Sequence, residues 1–174
     1  MMCVKIIIAL IMATHPRPVK NIYKIKKISK NICYYSNKRL LNPYLVLSII
    51  RHESGFKVNA RSRTEDYGLM QINVRVHNIK CNPFRIKCNI REGTKLLHRM
   101  KKSCVSKHAH VRPTHWLRHY NWHSRNHHLR ILWLAQAYER NDVNLNRMIR
   151  NRRYTKLKLT YSCMTDLCGV TIGE

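Results

Sequence analysis

The run from Asn42 to Gly55, Asn-Pro-Tyr-Leu-Val-Leu-Ser-Ile-Ile-Arg-His-Glu-Ser-Gly, constrains the fold more than any other stretch of the chain. Asn42 can accept a hydrogen bond from an early backbone N–H, and Pro43 suits the first helical turn, where its missing N–H costs nothing. Val46, Ile49, Ile50 and Glu53 then recur at the spacing of one helical face, and Ser54-Gly55 supplies a stop. The spacing predicts a helix whose apolar stripe carries a carboxylic acid. A carboxyl on such a face is costly to ionise, because burial disfavours the charged form. Retaining a proton near neutral pH is what a general acid requires. The plainer alternative is a glutamate that ends the helix facing solvent, and periodicity alone does not separate the two.

Few other acids compete for attention. Lys and Arg number 34 against 8 Asp and Glu, a formal charge of +26 on 174 residues. That length supports one domain with a core and is short for two, and 44% apolar residues are enough for a folded globule. The charge implies a salt-sensitive attraction for polyanions, whether nucleic acid, teichoic acid, lipopolysaccharide or cell-wall carboxylates. Part of the excess reflects a general bias towards Lys, Arg, Asn and Ile, so charge restricts the partners without naming one.

The N-terminus has one positive charge, an apolar run from Ile6 to Ala13, and then Pro16. The run is well below the roughly 18–20 residues that span a bilayer and fits the core of a secretory signal peptide. A buried N-terminal segment is the alternative, since no clean small-x-small cleavage site follows. Residues 1–20 are therefore expected to be a leader that directs export, to the periplasm or cell envelope. Residues 21–39 are rich in Lys, Asn and Ser without sustained periodicity and read as a basic linker or a frayed first helix. If Cys3 leaves with the leader, Cys33, Cys81, Cys88, Cys104, Cys163 and Cys168 remain, an even set suggesting disulfides. Their fifteen possible pairings stay open. No Cys-x-x-Cys occurs, which gives a zinc ribbon or thioredoxin-type site little support.

Beyond the first helix, Val58 to Asn73 reads as loop or short strand. Asn89 to Met100 is expected to be helical, with Ile90, Leu96, Leu97 and Met100 in the core. A third helix is expected from about His127 to Glu139, with Leu129, Leu132, Trp133, Gln136 and Ala137 near one face. The architecture is mainly α, with the catalytic domain over residues 40–145 and a basic tail over 146–174. No internal repeat is present.

The surroundings of Glu53 carry a resemblance. Glu53-Ser54-Gly55-Phe56, Ala60, Ser62 and Gly68-Leu69-Met70-Gln71-Ile72-Asn73 resemble the signature of the soluble lytic transglycosylase family, at matching offsets. That pattern is Glu-Ser-Gly-Phe, an Ala and a Ser further on, and then Gly-Leu-Met-Gln. Cys88-Asn89-Ile90-Arg91-Glu92-Gly93 is similar to the family's Asn-Ile-x-x-Gly segment, and a Cys before that Asn resembles secretion-associated members. Trp116-Leu117-Arg118-His119-Tyr120-Asn121 looks like the late Tyr-Asn motif, although Trp122-His123-Ser124 replaces the common Ala-Gly; Tyr138 is the rival position.

The resemblance implies a goose-lysozyme-like, mainly helical single domain with a small loop and β region and a sugar-binding groove. It makes Glu53 the acid and then the base, and Ser62 a hydrogen-bond partner of Glu53 or of substrate. Met70 and Gln71 would line the groove, Tyr120 and Asn121 would lie near the reacting centre, and Gly55 and Gly68 would serve turns. The implied reaction breaks the N-acetylmuramic acid to N-acetylglucosamine bond in peptidoglycan and closes a 1,6-anhydro ring, with no metal or cofactor. The implied setting is a monomer acting on glycan strands, in secretion, conjugation or phage machinery or in wall turnover.

One departure keeps a second chemistry open. Thr64-Glu65-Asp66-Tyr67-Gly68 stands where the family usually has Gly-Ala-x-Gly, and together with Gln71-Ile72-Asn73 it is similar to animal-type lysozymes. Asp66 is then a candidate second carboxylate for a hydrolytic muramidase, which needs a pair where a transglycosylase needs one.

Two further signals rank lower. His115, His119, His123 and His127 recur every fourth residue, a spacing that can ligate a transition metal on a helix, but no carboxylate or third ligand type accompanies them. A nucleic-acid-binding module would use the charge, Arg150 to Arg153 and aromatics such as Tyr34, Tyr35 and Trp122. The charge is spread along the chain and no nucleic-acid motif is present, so no obligate nucleic-acid partner is expected.

Overall fold

The computed structural model describes residues 2–14, 21–107, 117 and 126–140. Within them lie five helices and one small hairpin: α1 Met2–Thr14, α2 Ile22–Lys38, α3 Pro43–Ser54, β1 Asp66–Tyr67, β2 Ile72–Asn73, α4 Ile86–Lys107 and α5 His127–Glu139. The mainly helical expectation holds. The core is one apolar cluster to which every helix contributes.

Helix α3 is built as its sequence foretold. The Tyr44 N–H donates to Asn42 Oδ1 at 2.8 Å, Pro43 opens the helix, and Gly55 closes it at φ +55°, its N–H bonded to the Arg51 carbonyl at 3.1 Å. Burial extends beyond the expected stripe: Leu45, Leu47 and Ser48 are covered as well as Val46, Ile49 and Ile50. A helix apolar nearly all round is one packed from several sides, and α3 packs against both α2 and α5.

Helix α2 corrects the linker reading of residues 21–39. Asn21 caps it, accepting from the Lys24 N–H at 2.9 Å, and Ile25, Ile28, Ile32 and Tyr35 form a buried stripe at helical spacing. Ser29 and Ser36 share that buried face and lysines crowd the other, so the apolar periodicity is diluted in the sequence. Tyr35, noted above as a candidate for stacking on bases, is part of this core, while Tyr34 is exposed.

The segment expected to be a leader forms α1, packed on α2. Its Ile7 and Ile11 are completely buried, and the Thr14 hydroxyl lies 3.1 Å from that of Tyr138 in α5. Cys3 is bonded to Cys33 and Cys81 to Cys88. The first pairing departs from the expectation that Cys3 leaves the set; Cys163 and Cys168 lie outside the described residues. No described helix is long and apolar enough to cross a membrane.

Helix α4 begins earlier and runs longer than expected, which places Asn89 inside the helix as a buried bracket. Its Oδ1 accepts from the Met70 N–H at 2.7 Å, and its Nδ2 donates to the carbonyls of Tyr67 (2.8 Å) and Pro83 (2.9 Å). One side chain thereby ties the hairpin to α4. Residues 68–71 turn between the strands, in antiparallel register with Asp66 opposite Asn73 and Tyr67 opposite Ile72. Gly68 has φ +74°, and a Cβ there would stand 2.4 Å from Asn89 Nδ2 and 2.5 Å from the Pro83 carbonyl oxygen, so only glycine fits. On the next turn of α4, a Cβ on Gly93 would stand 2.5 Å from the Met70 sulfur.

Helix α5 spans His127–Glu139 as predicted, with Leu132, Trp133, Gln136 and Ala137 buried; Leu129 instead faces solvent.

Candidate active site

Helices α3 and α5 run antiparallel, and their two ends are tied by different contacts. At one end Asn42 Nδ2 donates to Glu139 Oε1 at 3.2 Å. At the other, His127 Nε2 lies 2.9 Å from Glu53 Oε1. Glu53 is thus held where α3 ends and α5 begins, its side chain 8% exposed and that of His127 11%. The expectation of a nearly buried carboxyl agrees with this geometry, and the solvent-facing alternative does not.

A second histidine completes a row. His52 Nε2 lies 3.0 Å from His127 Nδ1, with the two rings edge to face at a centroid separation of 4.2 Å. Burial pushes the His52 imidazole down to about 4, with the neighbouring His127 and Arg130 acting in the same direction and Glu53 opposing. His52 is therefore neutral at physiological pH. Sequence reasoning missed both histidines as partners of Glu53. His127 was visible only as the end of an every-fourth-residue series, and its contact with Glu53 joins residues 74 apart, which no local pattern encodes. His115, His119 and His123 lie outside the described residues. Among the described residues no three His, Cys, Asp or Glu side chains are grouped to hold a metal ion.

The structure gathers Ser62 and Asp66 into a separate cluster. Ser62 Oγ donates to Asp66 Oδ2 at 2.7 Å, Thr64 Oγ1 donates to the same oxygen at 2.6 Å, and Asn73 Nδ2 donates to Asp66 Oδ1 at 3.0 Å. Ser62 Oγ also accepts from the Asp66 N–H at 3.0 Å. Asp66 is thus the hub of the loop that carries the hairpin. Glu65 beside it is paired with Arg75, whose hydrogen bond holds that carboxyl below its ordinary range.

Gln71 is half-buried, with its Nε2 donating to the Gly68 carbonyl at 2.9 Å and the Ala60 carbonyl at 3.3 Å, so its side chain braces the turn. Met70 corrects the expectation of a groove-lining residue: its side chain is completely buried against Gly93 and offers no surface to a ligand. Tyr138, the rival to Tyr120, is likewise buried, beside Thr14 of α1. Tyr120 and Asn121 lie outside the described residues.

Helical packing of this kind, with a short hairpin after the central helix and a sheltered glutamate at that helix's end, is consistent with a domain of the lysozyme-like class. Within that class the chain belongs to the transglycosylase SLT domain family, which matches it over residues 30–158. The match begins inside α2, earlier than the boundary at residue 40 expected from the sequence. The lytic transglycosylases of this family act on peptidoglycan, outside the cytoplasm. No curated protein and no solved structure matches the chain.

Proposed function

We propose that this protein is a peptidoglycan lytic transglycosylase whose acid and base are the one carboxyl of Glu53. The observation that carries the reading is the contrast between two carboxylates. Glu53 is sheltered at a junction of two helices, whereas Asp66 spends both oxygens on the side chains of its own loop. A glycosidase of the two-carboxylate kind requires the second group to face the anomeric carbon or a water. A transglycosylase does not.

The steps balance with one proton carrier. Glu53 donates its proton to the glycosidic oxygen as the bond from C1 of N-acetylmuramic acid to that oxygen breaks. The 6-hydroxyl of the same sugar then bonds to C1, and its proton passes to Glu53, restoring the acid. The product is a 1,6-anhydro sugar, and no water is consumed.

The two disulfides fit a protein that works in an oxidising compartment, and we place the activity in the periplasm or cell envelope. The high positive charge suits a polyanionic wall, where it concentrates the enzyme at its substrate.

The test uses purified sacculi and mass analysis of the released muropeptides. Wild-type protein is expected to release products one water lighter than hydrolytic ones, and Glu53→Gln to release essentially none while remaining folded. Hydrolytic products would transfer the assignment to a muramidase. Undiminished release by Glu53→Gln would remove the acid altogether.

A further inference from the structure

We propose that His127 is a positioning residue for Glu53, itself held by His52, and that this row fixes which carboxyl oxygen carries the transferable proton. The inference rests on the reading of Glu53 as the acid. It goes beyond that reading, because neither histidine belongs to the signature residues around Glu53.

Hydrogen-bond direction carries the argument. An uncharged imidazole has one N–H and one acceptor nitrogen, and the partner of one nitrogen decides the state of the other. His52 is neutral, so its Nε2–H can donate to His127 Nδ1 at 3.0 Å. With that tautomer of His52, the N–H of His127 sits on Nε2, directed at Glu53 Oε1 at 2.9 Å. An oxygen already accepting from His127 is the carbonyl-type oxygen of a protonated carboxyl, which confines the acidic proton to Oε2. When the proton has gone to the sugar, the same Nε2–H donates to the carboxylate. The carboxyl therefore keeps one orientation through both of its roles, which is the preorganisation that acid–base catalysis rewards.

Packing alone gives no reason for this row. Two imidazoles and a carboxyl at a sheltered helix junction place polar groups where apolar side chains would be cheaper. The charged and titratable groups around His52 come from both helices: Glu53 on α3, and His127 and Arg130 on α5. The same two helices are also joined at the far end by the Asn42 to Glu139 contact. Positioning chains of this kind orient a reacting group without touching substrate.

The test compares His127→Phe, which keeps an aromatic ring against α3, with His127→Gln, whose amide N–H can still donate to Oε1. Turnover of purified sacculi and circular dichroism are followed for both, with Glu53→Gln alongside. His127→Phe is expected to lose about 10–100-fold in kcat with KM changed less than about twofold. His127→Gln is expected to recover most of that loss. His52→Phe should give a smaller kcat defect, because His127 is then free to choose its tautomer. A folded His127→Phe with wild-type kcat would overturn the proposal, as would a defect in KM alone. Failure of both His127 variants to fold would also overturn it, by making the residue structural. If Glu53→Gln stays active, the acid assignment itself is lost; if only the His127 variants are unaffected, Glu53 stands and the positioning role falls.

Discussion

Asp66 is the residue whose sequence and structural meanings differ most. Its place in Thr-Glu-Asp-Tyr-Gly suggested a second catalytic carboxylate, yet its two oxygens collect hydrogen bonds from Ser62, Thr64 and Asn73. Such a hub fixes the conformation of a short polar loop, since side-chain hydrogen bonds of Ser, Thr, Asn and Asp to one another and to nearby backbone take the place of a regular ladder. Replacing Asp66 with Asn substitutes a donor for one acceptor oxygen and leaves at least one of these groups mispaired. Asp66→Asn is expected to lower stability by roughly 1–3 kcal/mol, read as a reduced urea midpoint, while the released muropeptides remain of the anhydro kind. A switch in product mass, or loss of activity without loss of stability, would return Asp66 to the chemistry. At this scale the sequence was most readable where the environment is local. The helix around Glu53 and its apolar stripe could be read locally, whereas the burial of the carboxyl and its contact with His127 depend on how α3 and α5 align, and that alignment is a property of the fold.

The same distinction governs the elements. Helix α3 was legible because its cap, its first-turn proline and its glycine stop are all local devices. Helix α2 was not, because two serines on its buried face and a run of lysines mask a stripe of Ile25, Ile28, Ile32 and Tyr35 that only packing makes evident. Met70 was misplaced for a related reason: a motif gives the position of a side chain along the chain and says nothing of which way it points. The structure supplies the physical sense of that motif. Gly68, Met70, Asn89 and Gly93 interlock, with Asn89 bracketing the turn and each glycine leaving room for a neighbour. Gly68→Ala combines a left-handed backbone with a Cβ pressed against Asn89 and the Pro83 carbonyl. It is expected to cost roughly 2–4 kcal/mol, seen in thermal unfolding, with activity falling because the hairpin loses its seat on α4. An alanine variant as stable as wild type would mean that the hairpin and α4 are less tightly joined than these distances imply.

For the molecule as a whole, the decisive question is what α1 contributes. This helix contributes Ile7, Leu10 and Ile11 to the common core, a Thr14 contact to Tyr138, and one half of a disulfide, so its removal would uncover apolar surface. Burying three large aliphatic side chains is worth roughly 5 kcal/mol. A cross-link closing the loop from Cys3 to Cys33 adds roughly 3–4 kcal/mol through the unfolded chain. Together these rival the roughly 5–15 kcal/mol that holds an ordinary domain folded. Protein lacking residues 2–14, prepared under oxidising conditions, is therefore expected to unfold at a much lower urea concentration than the full chain and to carry a reactive thiol at Cys33. Cys3→Ser should lose only the cross-link's share, since the apolar contacts remain. Equal midpoints for the shortened and full chains would favour the leader over the buried-segment alternative, because a segment that contributes nothing to stability can be cut away at no cost to the enzyme.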